Sequence, residues 1–391
     1  MTALPGGTVA GRRLELDPTC RIEFGAGGAD RLPSLITGLG ARRVFVVTDR
    51  GLGATGIVHR VSRALGAAGL EHEIFDEVAP NPDTGTVDAG AARAREFGDA
   101  VVLALGGGSA LDAAKAIALL AGNPAAAASD AAELTTDGLP VVAVPTTAGT
   151  GAETNGFGVL EDTCRRRKVY LGNASVKPRI AVLDPALTLG LPAPITAATG
   201  FDALVHGIES LASRGANPVS AAYAGHAVAM VSRWLPTAYA DGGDLEARAQ
   251  LMLGAHLAGQ ALTLSGLGLV HGIGHALTAH TGTPHGIALA AVLEEVMTFS
   301  AAAAEPAYEQ VAMSMRVTPA GTADGGWATA AVGAVRELAG TLGVKRRLQD
   351  LGAERALLPS IAATALADPV SANSPVLPTE TELLDLLESV Y

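Results

Sequence analysis

The sequence predicts an α/β domain followed by an all-α domain, and three observations carry that reading. Short β-branched runs alternate with helical-period segments through the first half of the chain. Two of those runs end in glycine-rich turns. Beyond about Leu189 only long Ala- and Leu-rich segments at helical period remain.

Along the chain, Arg43–Thr48 (RVFVVT) is the first strand, followed by Gly-containing turn residues and a helix from about Ile57 to Gly69. His72–Phe75 is a second extended segment, leading through the turn at Pro80–Pro82 into a helix near Val87–Phe97. Ala100–Leu105 (AVVLAL), a glycine cluster and the helical stretch Leu111–Ala121 follow, and Leu139–Val144 (LPVVAV) is the next strand. Strands separated by helices make βαβ units, whose parallel sheet is covered on both faces and so reads as continuous apolar runs. This is a Rossmann-like layout. From Ala193 onward no β-rich run appears, and the helical pattern is expected to break at Pro218, Pro236, Gly242-Gly243, Pro284 and Pro319. The boundary falls near Leu183–Leu191, dividing the chain into residues 1–188 and 189–391. The Ala-rich segment Pro124–Ala132 reads as a surface loop or frayed helix.

Composition narrows the roles open to such a chain. Apolar residues make up 49% of its 391 positions, which excludes general disorder. The net charge is −12, and no basic run goes beyond Arg165-Arg166-Arg167-Lys168. A chain this negative repels phosphate backbones and anionic lipid, so neither nucleic acid nor membrane is expected as a partner. Cys20 and Cys164 are far apart and form neither a disulfide framework nor a CxxC motif. The first twenty residues hold Arg12, Arg13, Glu15 and Asp17 and no apolar core, so no signal peptide is expected. With no apolar run long enough to span a bilayer, a cytoplasmic protein is the expectation.

The first chemistry-bearing feature is Gly106-Gly107-Gly108-Ser109, with Asp112 and Lys115 in the helix beyond. Glycines at a strand-to-helix turn let a bulky anion approach the backbone, and the unsatisfied N–H groups of the helix point at the same spot. The plainer reading is a capping box of Ser109 and Asp112, and the turn alone leaves the two balanced. Pro145-Thr146-Thr147-Ala148-Gly149-Thr150-Gly151 tips that balance, because it follows the next strand. Two polar, Gly-rich loops then leave consecutive strands at their carboxyl ends, where open α/β sheets bind ligands. They predict a dinucleotide site, although the GxGxxG fingerprint is absent. Asp49 closes the strand VFVVTD, where a carboxylate can accept from ribose hydroxyls and repel a 2′-phosphate, favouring NAD over NADP. The alternative for Asp49 is that it merely caps or turns the chain.

The second feature is a histidine cluster. Four of nine histidines, His271, His275, His280 and His285, fall within fifteen residues. Upstream, Asp202 and His206 are four apart in a helical stretch (GFDALVHGIE), which puts them on one face, and His271 and His275 share that spacing. Imidazoles with one carboxylate suit Fe(II) or Zn(II). Spacing does not say which histidines bind; His280 is the weakest member, as a solvated residue in the loop before Gly282.

Together these stretches resemble the iron-containing (group III) alcohol dehydrogenase family over nearly the whole chain. The motifs are VTDRGL, APNPDTGTVDAG, ALGGGSALDAAKAIA, VPTTAGTGAE, ATGFDALVHGIES and GLGLVHGIGHALTAHTGTPHG, the last two being the most specific. The resemblance implies an N-terminal dinucleotide-binding domain, a C-terminal helical metal-binding domain and an active site in the cleft between them. It implies an NAD(P)-dependent oxidoreductase acting on CH–OH groups, with small aldehydes or primary alcohols as substrates, and a homodimer. Carried over by position, the metal ligands are Asp202, His206, His271 and His285. His275 matches a non-ligand histidine beside the nicotinamide and is the candidate for proton delivery. Gly107, Gly108 and Ser109 match the pyrophosphate loop, with Asp112 counted in the same cofactor-binding motif. Thr146, Thr147 and Thr150 match the loop contacting the cofactor, Lys168 a lysine near the nicotinamide ribose, and Asp49 the residue associated with NAD preference. Phe157, Val159 and Leu262 are assigned to an apolar substrate wall.

Departures from the family pattern cluster on the substrate side. Ala152 stands where a serine is common, Thr154-Asn155-Gly156-Phe157 is atypical, and IALAAVLEEV follows His285-Gly286. Competing readings are a maleylacetate reductase or glycerol dehydrogenase relative, whose dianionic substrate in the first case calls for more cationic side chains. A dehydroquinate-synthase-like lyase would need more basic residues. A catalytically silent NAD-binding protein would have no need of the complete Asp/His set.

Overall fold

A computed structural model describes residues 20–130, 134–163, 167–319 and 326–391. The described chain forms two compact units, residues 20–191 and 192–391, dividing at Leu191-Pro192 where the sequence reading placed the division at 188/189. The segment carrying Arg12, Arg13, Glu15 and Asp17 lies outside the described residues, as do Cys164, Arg165 and Arg166.

In the first unit the strands are β1 (Arg21–Phe24), β2 (Arg43–Val47), β3 (Glu71–Phe75), β4 (Val101–Gly106), β5 (Val141–Pro145), β6 (Phe157–Asp162), β7 (Arg167–Gly172) and β8 (Ile180–Leu183). Six of them form a parallel sheet in the order β1-β8-β5-β4-β2-β3, while β6 and β7 make a separate antiparallel hairpin. The helices are α1 (Leu32–Gly38), α2 (Arg50–Gly53), α3 (Ile57–Ala67), α4 (Thr84–Phe97) and α5 (Gly108–Ala121). Every residue of β4 and β5 is buried, as expected of strands covered on both faces. Alternate residues of β2 separate the two cores. Phe45 and Val47 join Val87, Leu111 and Ile117 of α4 and α5, whereas Val44 and Val46 join Val58, Val61 and Leu65 of α3.

The apolar strands β2, β4 and β5 were legible; β1, β8 and the hairpin were not. β1 (RIEF) is an edge strand with charged, exposed residues, and β8 (IAVL) is only four residues long. The hairpin (FGVLED and RKVYLG) has its charged residues bunched at one end, and only alternate residues of β6 are buried, so it lacks a continuous apolar run. In the described part of the Ala-rich segment Ala128 is buried and its N–H donates to Asp88 Oδ1 at 2.8 Å, while Ala131 and Ala132 lie outside the described residues.

The second unit is helical throughout its described residues: α6 (Ala193–Ala212), α7 (Pro218–Ala240), α8 (Leu245–Ser265), α9 (Leu269–Thr281), α10 (His285–Phe299), α11 (Ala301–Ser314), α12 (Trp327–Leu342), α13 (Leu358–Ala367) and α14 (Glu380–Ser389). Every residue from Gly200 to Leu211 is buried, so α6 runs through the centre of this unit. Asn217 caps α7 through a capping box with Ser220, and Pro218 takes the first helical position, where its missing donor is harmless. Pro284 likewise precedes α10, and Gly242-Gly243 separates α7 from α8. Pro236 is the exception. It lies inside the last turns of α7, where its ring removes one hydrogen bond and tertiary packing retains the helix. No single described helix is long and apolar enough to cross a membrane.

Candidate metal centre and cofactor loops

Three helices of the second unit converge on one carboxylate oxygen. Asp202 and His206 come from α6, His271 from the first turn of α9, and His285 is the first residue of α10. Asp202 Oδ1 lies 3.2 Å from His206 Nε2, 3.5 Å from His271 Nε2 and 3.8 Å from His285 Nε2. Ligand atoms at roughly 2.1 Å from a tetrahedral metal are separated by roughly 3.4 Å, the scale seen here. Potential donors of Asp202, His271 and His285 all lie within 4.8 Å of one another. Asp202 Oδ1 and His271 Nε2 are buried with no hydrogen-bond partner among the described residues. Buried polar atoms left in this state carry a desolvation cost, which a shared cation would remove. The donor set therefore fits a divalent metal.

Further side chains fix this arrangement from behind. Glu209 Oε2 accepts from His271 Nδ1 at 2.6 Å, and the same carboxylate accepts the N–H groups of Gly268 and Val270 at the start of α9. His275 Nδ1 pairs with Asp368 Oδ2 at 2.8 Å, and Asp368 Oδ1 accepts from Val370 N–H. Glycines beside the ligands let the backbones pack closely. A Cβ on Gly272 would meet Ser371 Oγ at 1.9 Å, one on Gly286 the Ala198 carbonyl at 2.0 Å, and one on Gly207 a Val228 methyl at 2.8 Å.

The electrostatics of the cluster suit cation binding. Burial opposes ionisation of Asp202, yet His206, His271 and His285 hold its carboxyl well below the usual range. Burial also pulls His271 down, but Glu209 and Asp202 outweigh it and raise the imidazole to about 9. Burial keeps His285 well below its ordinary value despite Asp202, with the neighbouring imidazoles adding to the shift. At neutral pH His285 is thus a neutral imidazole, while His271 holds a proton that a metal would displace. His280 does not join the cluster: it lies in the last turn of α9, not in a loop, and bonds Thr364 Oγ1.

In the first unit, Gly107 is the N-cap of α5 and offers no side-chain cap, so the first-turn N–H groups are open to an anion. This corrects the capping-box alternative: Ser109 sits inside the helix and its Oγ accepts from Asn81 N–H. Gly108 is needed for a contact within the protein, since a Cβ there would lie 2.5 Å from Thr150 Cγ2. Thr146 donates its N–H to the Gly106 carbonyl, and a Cβ on Gly107 would touch Thr147 at 3.4 Å. The two loops are therefore in contact. Asp49 Oδ1 caps α2 by accepting from Leu52 N–H, while its Oδ2 lies 3.4 Å from where a Cβ on Gly106 would sit. The capping role read for Asp49 is seen, and its second oxygen lies beside the Gly106 turn.

The Asp112 carboxylate pairs with buried Lys115, Oδ1 to Nζ at 3.1 Å. Lys115 Nζ also donates to the Ala152 carbonyl (2.8 Å) and Asn155 Oδ1 (2.9 Å). Lys168 on β7 donates to Asn81 Oδ1 at 3.3 Å, next to the chain that meets Ser109. Phe157 and Val159 share the half-buried face of the hairpin with Tyr170, whereas Leu262 is buried in α8 of the second unit. Sequence reading missed Glu209, Asp368 and the role of Lys115. Glu209 had a signal, since it stands seven residues after Asp202 on the same helix face. Asp368, 93 residues from His275, had none.

A glycine-turned parallel sheet in one unit and a carboxylate–imidazole cluster in a following helical unit define the metal-dependent dehydrogenase class. Residues 18–185 match the family model described as iron-containing alcohol dehydrogenase, and residues 196–391 match that of the Fe-containing alcohol dehydrogenase family C-terminal region. The chain belongs to the iron-containing alcohol dehydrogenase family and is an oxidoreductase. It is 40% identical over 284 residues to the probable alcohol dehydrogenase EutG of Escherichia coli (strain K12), covering 72% of this chain and 70% of that protein. It is 34% identical over 372 residues to the lactaldehyde reductase of the same strain, covering 94% and 97% respectively. The crystal structure of a 1,3-propanediol oxidoreductase superposes with a TM-score of 0.92 at 33% identity, covering 97% of this chain and all of that one.

Proposed function

We propose that this protein is a metal-dependent, NAD-linked alcohol dehydrogenase or aldehyde reductase acting on a small aldehyde or primary alcohol. The observation that carries the reading is the buried Asp202 oxygen ringed by three imidazole Nε2 atoms at 3.2–3.8 Å. When bound, a divalent iron or zinc ion would supply a Lewis acid able to lower a hydroxyl pKa from about 16 to about 7, and the nicotinamide a hydride carrier. Asp202, His206, His271 and His285 are the residues to hold the ion. His275, its Nδ1 committed to Asp368, has Nε2 as the atom that exchanges a proton with the substrate side.

In the first unit the uncapped start of α5 at Gly107, Gly108 and Ser109 receives the pyrophosphate, with Thr146, Thr147 and Thr150 beside it. Asp49 selects NAD over NADP by offering its outward oxygen to the ribose hydroxyls. Lys168 serves the nicotinamide ribose, Phe157 and Val159 offer apolar substrate-facing surface in the first unit, and Leu262 does so in the second. Asp112 serves the same cofactor loop and is held by its pair with Lys115. We further place the protein in the cytoplasm as a homodimer, with residues 1–188 serving the cofactor and 189–391 the metal.

The test is metal content and NADH-dependent aldehyde reduction in a His271→Ala, His285→Ala double variant. Loss of bound metal with loss of turnover is expected; undiminished turnover would remove the metal mechanism.

A further inference from the structure

Glu209 is nearly buried, at 6% exposure, and forms no ion pair with Lys or Arg among the described residues. Its charge is met by three N–H donors and nothing more basic than an imidazole. Oε1 accepts from Val270 N–H at 2.7 Å; Oε2 accepts from Gly268 N–H at 3.1 Å and pairs with His271 Nδ1 at 2.6 Å. Gly268, the N-cap of α9, brings its backbone so close that a Cβ there would lie 3.0 Å from Oε1.

We infer that Glu209 is a positioning residue for the metal centre, holding His271 in the tautomer and orientation that present Nε2 to the ion. The inference rests on the metal reading above and extends it to a residue outside the ligand set. A proton on Nδ1, donated to Glu209, leaves Nε2 with its lone pair, and the contacts to Gly268 and Val270 stop the carboxylate from swinging away. Glu209 thereby ties α6, which carries Asp202 and His206, to α9, which carries His271. Its charge also completes the local balance: with Asp202 it supplies two negative charges against a divalent cation. Carboxylates that orient ligating imidazoles typically change metal affinity ten- to a hundredfold when lost.

Glutamine cannot substitute. Its single carbonyl oxygen cannot accept from all three N–H groups, and its amide would face at least one of them donor to donor. Zinc affinity should be measured by competition with a chromophoric chelator on the full chain, unsubstituted and as Glu209→Gln, alongside the melting temperature of each metal-free protein. We expect zinc to bind about 10- to 100-fold more weakly to folded Glu209→Gln. Equal affinity in both, whatever the change in melting temperature, would overturn the positioning role and leave the metal site standing. Failure of the unsubstituted protein to bind zinc would overturn both. If Glu209→Gln does not fold, nitrogen-15 histidine spectra of the unsubstituted zinc form decide, with the His271 signal assigned by its loss in His271→Ala. A protonated Nδ1 supports the role, and an unprotonated Nδ1 overturns it.

Discussion

Replacing Lys115 by methionine tests how the two loops of the first unit are held. The lysine is 1% exposed, and Nζ meets Asp112 Oδ1, the Ala152 carbonyl and Asn155 Oδ1 between 2.8 and 3.1 Å. Methionine fills similar volume without supplying a donor. Asp112, its side chain 18% exposed, would keep a carboxylate without its directly paired cation, and two acceptors would lose their bonds. Removing one partner of a fully buried pair costs about 3–5 kcal/mol. Because water and Lys168 still reach Asp112, the loss here should be about 1–3 kcal/mol, a sizeable share of the roughly 5–15 kcal/mol that holds a typical protein folded. Asp112→Asn should cost less, because burial already lowers the Lys115 pKa and the amine can shed its proton. The double variant should cost less than the two single costs added, since neither charge is left alone. The assay must report on the correct unit: Trp234 and Trp327 both lie in the helical unit, so their fluorescence is unsuitable. Hydrogen exchange of the α5 amides, with denaturant unfolding followed by circular dichroism, reads the first unit directly. A loss below about 1 kcal/mol, with α5 exchanging as before, would refute the argument.

Three other outcomes follow from the same geometry. Asp49→Ala should raise the use of NADPH relative to NADH, measured as the ratio of kcat/KM values; an unchanged ratio would leave Asp49 as the cap of α2 alone. In the metal-free protein His271 is raised to about 9 from 6.5, so its contribution to stability is complete below pH 6.5 and lost as pH rises through 9. Denaturation midpoints of the metal-free helical unit should fall over that window, while zinc affinity climbs about tenfold per pH unit as the competing proton leaves. A flat zinc profile from pH 7 to 9 would contradict the raised value. Asp368→Asn should lower kcat by about 10- to 100-fold with zinc affinity intact, as expected when a proton-transferring histidine loses its orienting partner; equal loss of metal would place Asp368 in the scaffold instead.

What was legible in the sequence was whatever repeats at short range. β4 and β5 announce themselves because strands covered on both faces must be apolar throughout, and Asp202 and His206 because four residues is one helical turn. Glu209 was within reach of the same logic, one further turn along. Asp368 was not, because its pairing with His275 depends on how α13 ends beside α9. Lys115 shows a different limit: in sequence it is a helix lysine like any other, and only the folded loops reveal two oxygens waiting for its ammonium group. Pro236 marks the opposite failure, where a local rule for ending helices yields to packing along the rest of α7.

Gly207, Gly272 and Gly286 each adjoin a histidine of the cluster, and at all three another part of the protein occupies the room a methyl group would need. Val228 and Ser371 side chains and the Ala198 carbonyl hold these stretches of backbone close to their neighbours. Calcium, which prefers six to eight oxygens at about 2.3–2.6 Å, would find neither the donors nor the space. Discrimination among cations then falls to dimensions the fold has already set, before any ion arrives.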